Sequence, residues 1–249
     1  MQITLLGTGA AGGIPLFGCQ CSVCSTAKLN PSLRREPACA LLEVEGAAYL
    51  IDVGIMDIGE RFEASFLNGI FLTHFHPDHV QGLFHIRWGK EPNISVFCPP
   101  DKDGCADLYK HPGLLEFIHQ KKYAALKLEN LEVTSLPLIH SKLTYGYLFQ
   151  CAGKSLAYLT DTKGLPPKVL EYLTSTDLEY LIIDTSYPPD VDNRNHNNLN
   201  DTLALHDSIG PRKTIMTHIG HDFDRWLKQH GDELPSDVIA GYDGMTLKL

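Results

Sequence analysis

The chain has 249 residues, of which 43 % are hydrophobic, and its formal net charge is −9 at neutral pH. The length allows one large or two small domains, and the apolar content is ample for a buried core. The negative charge argues against a protein that binds nucleic acid through its overall field, because neutralising phosphates requires a basic face.

The first nine residues, MQITLLGTG, have the pattern of a short strand that ends in glycines. They contain no basic region, long apolar segment or cleavage signal, so we expect no secretory leader. No apolar run elsewhere approaches the roughly 20 residues that are needed to cross a membrane. The sequence therefore predicts a cytoplasmic protein with no membrane partner.

Three of the seven cysteines, Cys19, Cys21 and Cys24, lie within a span of six residues in a glycine-containing loop. Thiols at this spacing indicate a metal site in a reducing compartment rather than a disulfide framework. Tetrahedral structural zinc needs a fourth ligand, and we predict His221 for it. Reduced cysteines without a metal are the alternative. The remaining cysteines are predicted to be packing residues: Cys39, Cys98, Cys105 and Cys151.

An apolar run at residues 68–73 precedes the densest cluster of ligand-type side chains, His74, His76, Asp78 and His79. The run is short, β-branched and aromatic and begins at an Asn-Gly turn signal, so it predicts a buried strand with the cluster at its C-terminal end. Burying such a cluster is costly unless an ion coordinates it. We therefore predict a metal site here, with metal-free histidines as the alternative.

Further strand patterns lie at 40–52, 94–98, 131–138, 145–151, 155–160, 178–184 and 213–217. Helical patterns lie at 78–88, 166–173, 200–209 and 222–230, with a broken helical stretch at 103–120. His140, Asp161, Asp184 and His218 each follow the end of a strand pattern, and strand ends on one edge of a sheet form a shared cleft. Hairpins early in the chain and around Gly153 do not fit regular β-α alternation, so we expect two mixed sheets with outer helices. No linker or repeat divides residues 1–249, which predicts a single domain.

The motif HFHPDHVQG, followed in order by His140, Asp161 and His218, resembles the metallo-β-lactamase fold hydrolases over nearly the whole chain. The resemblance implies a four-layer αββα sandwich, two mixed sheets flanked by helices, and a hydrolytic enzyme with two divalent metals. One metal would be held by His74, His76 and His140, the other by Asp78, His79 and His218, and both by Asp161. These ligand types suit Mn or Zn without choosing between them.

Six segments resemble one subgroup, the 5-phosphoribosyl 1,2-cyclic phosphate phosphodiesterases of the carbon-phosphorus lyase pathway: GTGAAGGIPLFGCQCSVC, HVQGLFHIRWG, PPDKDGCADLYKHPGLLEF, LIHSKLTYGY, RNHNNLN and THIGHDFDRW. The subgroup uses its metal pair to open a small cyclic phosphodiester to ribose 1,5-bisphosphate during phosphonate catabolism. The resemblance also implies a homodimer.

In this context His196 is expected to act as a general acid or leaving-group stabiliser, and Asp78 stands with it in the predicted catalytic set. Arg194, Lys142 and Arg87 are candidates to bind the 5-phosphate, with solvated surface charges as the alternative. Asp184 either orients a ligand histidine or caps a loop.

Two rival functions fit parts of the same pattern. The tRNA 3′-end endonucleases have similar HxHxDH and His…Gly-Tyr elements, but this short acidic chain offers no obvious RNA-gripping arm. The B-type proteins of pyrroloquinoline quinone biosynthesis share the AAGG…CxCxxC opening, but they generally depart from the complete HxHxDH set that is present here. The sequence therefore favours the phosphodiesterase.

Overall fold

Two mixed β-sheets form the centre of the computed structural model, which describes residues 1–90 and 92–249. Within these ranges each sheet has seven strands, and helices lie outside them, so the predicted αββα architecture is confirmed. None of the described helices is both long and apolar enough to cross a membrane.

The first sheet has the strand order β14-β1-β2-β3-β4-β5-β6. Its strands are β1 (Gln2–Gly7), β2 (Cys39–Val44), β3 (Ala47–Ile51), β4 (Gly69–Phe71), β5 (Ile94–Cys98), β6 (Leu115–His119) and β14 (Thr246–Lys248). Strands β2 and β3 form a hairpin through Glu45 and Gly46, whose φ angles of 47° and 91° match the positive values of a type I′ turn. From β3 to β6 the strands are parallel, so their C-terminal ends lie on one edge.

The second sheet has the order β13-β12-β11-β10-β9-β8-β7. Its strands are β7 (Ala125–Leu128), β8 (Leu131–Pro137), β9 (Tyr145–Cys151), β10 (Lys154–Leu159), β11 (Tyr180–Asp184), β12 (Lys213–Thr217) and β13 (Val238–Ala240). A second turn with two positive φ angles, at Ala152 and Gly153, joins β9 to β10. Strands β10 to β13 are parallel, and this repeats the arrangement of the first sheet.

The helices are α1 (Ser22–Leu29), α2 (Ile58–Arg61), α3 (Pro77–Val80), α4 (Leu83–Ile86), α5 (Ala106–Lys110), α6 (Pro167–Thr174), α7 (Leu199–Ile209) and α8 (His221–His230). The helix predicted at 78–88 is split into α3 and α4. Gly82 stands at the break, where an added Cβ would meet the carbonyl oxygen of Ile55. The stretch predicted as helical at 103–120 is wrong in its second half, because Pro112 and Gly113 interrupt it and Leu115–His119 pairs with β5 as an edge strand.

The core between the two sheets contains a cluster of aromatic rings around Phe71, in the strand that precedes the histidine cluster. Phe71 contacts the rings of Tyr49, Phe97, Tyr147 and Phe149 at centroid distances of 5.1–5.5 Å. The hydroxyl of Tyr147, from the second sheet, donates to the carbonyls of Leu72 at 2.6 Å and Phe97 at 3.2 Å in the first. The Tyr147 hydroxyl thus joins the sheets just before the chain reaches the histidine cluster, and the amide of Tyr145 adds a second link by donating to the carbonyl of Thr73 at 2.9 Å.

Replacing Tyr147 by Phe should therefore lower the free energy of unfolding by about 1–3 kcal/mol, because the buried Leu72 carbonyl loses the hydroxyl that donates to it, while the Phe97 carbonyl keeps the Leu72 amide as a donor. Urea denaturation of Tyr147→Phe measures this, with Tyr242→Phe as the matched control at an exposed tyrosine. The control should stay within about 0.5 kcal/mol of the parent. Equal stability of the two variants would contradict the role given to the Tyr147 hydroxyl.

Candidate metal centre

The seven residues predicted as metal ligands from the metallo-β-lactamase pattern lie together at the C-terminal edge of both sheets. His74 and His76 follow β4, Asp78 and His79 lie in α3, and the others follow β8, β10 and β12: His140, Asp161 and His218. Parallel strands deliver their C-terminal ends to a common edge, which is why residues far apart in sequence meet here. The structure brings all seven into two neighbouring groups.

The first group consists of His74, His76, His140 and Asp161. His76 Nδ1 lies 2.9 Å from His74 Nε2 and 3.1 Å from His140 Nε2. Asp161 Oδ2 lies 3.6 Å from His74 Nε2 and 3.7 Å from His140 Nε2. Three ring nitrogens and a carboxylate oxygen thus face one common point.

The second group consists of Asp78, His79, His218 and again Asp161. Asp78 Oδ2 lies 3.3 Å from His79 Nε2 and 3.5 Å from His218 Nε2. Asp161 faces the same two rings at 3.4 Å, through Oδ2 towards His79 and through Oδ1 towards His218. Asp161 is therefore shared by the two groups, as expected of a bridging ligand.

The chemistry of these donors fits divalent cations. His79 Nε2 and Asp161 Oδ1 are buried and have no hydrogen-bond partner among the described residues. Burial lowers the pKa of His74, His76 and His140, which keeps their rings neutral with lone pairs available. Neutral imidazoles and carboxylates are the donors that Zn and Mn accept. The ligand assignments, the number of metals and their identity stay predictions.

Asp52 supports the histidine cluster from beneath and was missed by the sequence analysis. Its carboxylate accepts from His79 Nδ1 at 2.7 Å, from the Thr73 amide at 2.8 Å and from the Thr73 hydroxyl at 2.8 Å. The same hydroxyl lies 3.0 Å from His74 Nδ1, which can donate to it. Both histidines are thereby held with Nε2 towards the metal groups. The available signal was that Asp52 follows a buried strand, as Asp161 does.

Asp184 orients histidines, one of the two roles expected for it. Its Oδ2 accepts from His196 Nδ1 at 2.7 Å, and its Oδ1 accepts from the Ser186 hydroxyl at 2.7 Å. The Ser186 oxygen also lies 2.8 Å from His218 Nδ1, so one carboxylate positions His196 directly and His218 through Ser186.

His196 lies beside the second group. Its ring stacks on His218 with the centroids 4.8 Å apart and the planes at 11°. Burial alone would lower its pKa, but the carboxylate of Asp184 outweighs burial and raises the pKa of His196 to about 9. The Asn193 side chain accepts from the His196 amide at 3.2 Å and so fixes the loop that carries the ring.

The predicted structural zinc residues, Cys19, Cys21, Cys24 and His221, also come together, with one donor atom of each within 4.8 Å of the others. His221 Nδ1 lies 3.6 Å from Cys19 Sγ and 3.7 Å from Cys21 Sγ. Burial would raise the pKa of Cys21, but the amide of Cys24 and the ring of His221 lower it to about 6. A thiolate and an imidazole at this distance fit zinc, and the ion itself stays a prediction.

The three cationic residues predicted for substrate binding differ in their surroundings. Lys142 Nζ lies 3.5 Å from Asp101 Oδ2. Arg194 is exposed and has no ion pair or side-chain hydrogen bond within the described part of the chain. Arg87 is buried, pairs with Asp107 Oδ2 at 2.7 Å and donates to the backbone carbonyls of Asp107 and His111, so its charge and donors are used within the protein.

Comparison with known proteins gives a family and several relatives. The family model of the beta-lactamase superfamily domain matches residues 56–219. In sequence the chain is similar to the octanoyltransferase of Porphyromonas gingivalis, with 25 % identity over 261 residues that cover 98 % of this chain. The chain spans only 51 % of that relative's own length.

Two solved structures resemble this one over its whole length. A new diphosphatase from the PhnP family has a TM-score of 0.84 and 26 % identity, covering 99 % of this chain and 96 % of that one. The Zn²⁺-bound PqqB from Methylobacterium extorquens has a TM-score of 0.82 and 18 % identity, covering 100 % of both chains. The second likeness shows the fold alone.

Replacing Asp52 by Asn should weaken metal retention by about 10–100-fold, because the side chain loses its negative charge and keeps only one acceptor oxygen for both His79 and Thr73. Competition with a chelator, followed by elemental analysis, measures the change. Asp232→Asn removes an exposed carboxylate and serves as the control. Equal retention in both variants would show that Asp52 does not support the ligands.

Replacing Cys21 by Ala should lower both the melting temperature and the metal content of the histidine groups. The reason is that His221 follows the predicted ligand His218 by three residues, so a looser cysteine cluster frees the loop that carries both. A loss of several degrees is expected, since each kcal/mol corresponds to about 2–4 °C at this size. Cys105→Ala is the control, and normal melting with full metal content in Cys21→Ala would refute the coupling.

Proposed function

Because the chain belongs to the beta-lactamase superfamily, as a metallo-β-lactamase fold hydrolase, we propose that it is a metal-dependent phosphodiesterase. The proposed reaction opens 5-phospho-α-D-ribosyl 1,2-cyclic phosphate to ribose 1,5-bisphosphate in phosphonate catabolism. The observation that supports it most is a complete set of seven ligand-type side chains with His196 directly beside them. The similarity to a diphosphatase of the PhnP family supports hydrolysis at phosphorus, although a diphosphate linkage differs from a phosphodiester.

We propose two divalent cations, Mn or Zn, at the histidine groups and one structural Zn at the cysteine cluster. Bound at the histidine groups, the cations would make water nucleophilic at neutral pH and neutralise phosphoryl oxygens. The chain's own contribution is to present the donors: Asp161 faces both groups, and Asp52 and Thr73 hold His79 and His74 by their far nitrogens. Donors fixed in advance need no rearrangement when substrate binds.

His196 is the proposed general acid. Opening the cyclic ester leaves the ribose 2-oxygen as an alkoxide, which needs a proton. The His196 ring is held by Asp184 through Nδ1, which leaves Nε2 available to donate. Its ring contacts those of His218 and His140, so it lies beside both groups of predicted ligands.

One observation argues against each of the two rival functions. For a tRNA 3′-end endonuclease the net charge of −9 is unfavourable. For a pyrroloquinoline quinone B-type protein, the complete ligand set together with His196 has no evident use. Lys142 and Arg194 stay candidates for contacts with the substrate's phosphate groups.

The direct test compares substrates on metal-replete protein of known metal content. Hydrolysis of the ribosyl cyclic phosphate should exceed that of 2′,3′-cyclic nucleotides and bis(p-nitrophenyl) phosphate. Gel-shift binding of a tRNA precursor at physiological salt would favour the endonuclease. Binding of the quinone by a protein that leaves every phosphodiester intact would favour the cofactor-handling role.

Replacing His196 by Ala should lower turnover by about 10²–10⁴-fold without loss of metal, since only proton donation is removed. Elemental analysis beside the rate measurement separates the two effects. His111→Ala, at an exposed histidine, is the matched control. Turnover of His196→Ala equal to the parent would exclude His196 as the acid.

A further inference from the structure

A second cleft, with a volume of about 480 Å³, lies between the glycine-rich loop and the segment that leads into β2. It is lined by residues 11–15 and 34–37 and by Gln81. Clefts of a few hundred Å³ are large enough for a small ligand. None of the predicted metal ligands and neither His196 nor Asp184 lines this cleft.

The cleft adjoins both loops that carry the second metal group. On one side the amide of Ala10 donates to the carbonyl of Ile219 at 3.1 Å, and Ile219 directly follows His218. On the other side Gln81 ends the turn that contains Asp78 and His79, and its backbone amide donates to the carbonyl of Pro77 at 2.8 Å. A ligand in the cleft would therefore lie next to the proposed reaction site.

Three groups of hydrogen-bond donors in the cleft are free. The backbone amides of Ala11 and Gly12 make no hydrogen bond within the described residues, whereas the amides of their neighbours Ala10 and Gly13 do. Arg34 uses only its Nε, which donates to the Ala27 carbonyl at 3.3 Å, and no carboxylate in the described part of the chain lies within ion-pair distance of it. Free backbone amides and a guanidinium that line one cleft are the kinds of donor that bind anions.

The neighbouring residue, Arg35, has a structural role, in contrast to Arg34. Arg35 donates to Asp224 at 2.8 Å and 3.0 Å, to the Thr8 hydroxyl at 2.8 Å and to the carbonyl of Gly241. Its charge and donors are thus used within the protein. Arg34 is exposed and keeps its two terminal amino groups available.

We propose that this cleft binds the terminal phosphate monoester of a phosphosugar substrate, with Arg34 and the amides of Ala11 and Gly12 as donors. This inference rests on the proposed function and adds to it the position of the substrate's second phosphate. A planar guanidinium with two free amino groups matches phosphate oxygens in a bidentate manner. Neither Arg194 nor Lys142 lines this cleft, and Lys142 is already paired with Asp101.

The test uses ribose 5-phosphate as a probe, because it carries the monoester and cannot undergo the reaction. Its dissociation constant is measured by calorimetry for the parent, Arg34→Ala and Arg34→Lys. The control is Arg212→Ala, because Arg212 directly precedes β12 and pairs with Asp177. We expect Arg34→Ala to weaken binding by about 10–100-fold. Arg34→Lys should recover part of the loss, and Arg212→Ala should match the parent.

A second variant tests the sign of the charge effect. Glu36 lines the same cleft with an exposed side chain. Its replacement by Gln removes a negative charge near the proposed phosphate and should strengthen binding of ribose 5-phosphate a few-fold. Ribose, which lacks the phosphate, should bind every variant with the same affinity as the parent.

Several results would overturn the proposal. Ribose 5-phosphate that does not bind the parent at millimolar concentration is one. Unchanged binding in Arg34→Ala is another, and loss of binding in Lys142→Ala or Arg194→Ala alone would move the site to those residues. A protein that binds ribose 5-phosphate through Arg34 but hydrolyses no cyclic phosphodiester would refute the proposed function and leave the phosphate site standing.

Discussion

The carboxylate of Asp161 is the constraint on which the rest of the structure depends. It is almost fully buried and lies 3.4–3.7 Å from the ring nitrogens of four histidines. A buried carboxylate costs several kcal/mol unless opposite charge and hydrogen bonds compensate it. In this molecule the compensation must come from both sheets, because the histidines come from β4 and its helix on one side and from β8 and β12 on the other. The strand ends of both sheets therefore meet at Asp161, and the hydroxyl of Tyr147 links the two sheets near that place.

Two further buried carboxylates lie outside the ligand groups and also stabilise histidines. Asp52 and Asp184 are fully buried, each follows or ends a parallel strand, and each accepts from the far nitrogen of a histidine. The first holds a predicted metal ligand and the second holds the proposed acid. Asp52 and His218 also have φ angles of 57° and 56°, a region that costs non-glycine residues about 1–3 kcal/mol. Strain of this kind persists only where surrounding bonds determine the conformation, as they do for both residues.

The ligand residues could be predicted from sequence because their pattern is long and ordered. Four ligand-type side chains within six residues, followed by a histidine, an aspartate and a histidine at strand ends, are far more typical of a metal centre than of packing or of a solvated surface. The same holds for three cysteines at close spacing. Asp52 could not be singled out, since one aspartate after one strand is common. The strand β6 was missed because aromatic and aliphatic residues on both sides of Pro112 and Gly113 fit a broken helix equally well. Arg34 carried no signal at all, because its partners in the cleft come from separate loops.

The acidic composition makes the local donors more important than the overall charge. A phosphosugar with two phosphates is repelled by a protein of net charge −9 unless positive groups meet it at short range. Cations held by the histidine groups would neutralise the reacting phosphate, and a second phosphate several bonds away would lie beyond their reach. The second phosphate needs donors that belong to the chain. The structure offers them where the loop that contacts Ile219 passes close to Arg34, and this contact also links the cleft to the loop of His218. The loop that lines the cleft would thus contact both the distant phosphate and the segment that positions His218. Substrate recognition and the placement of a predicted metal ligand would depend on the same loop.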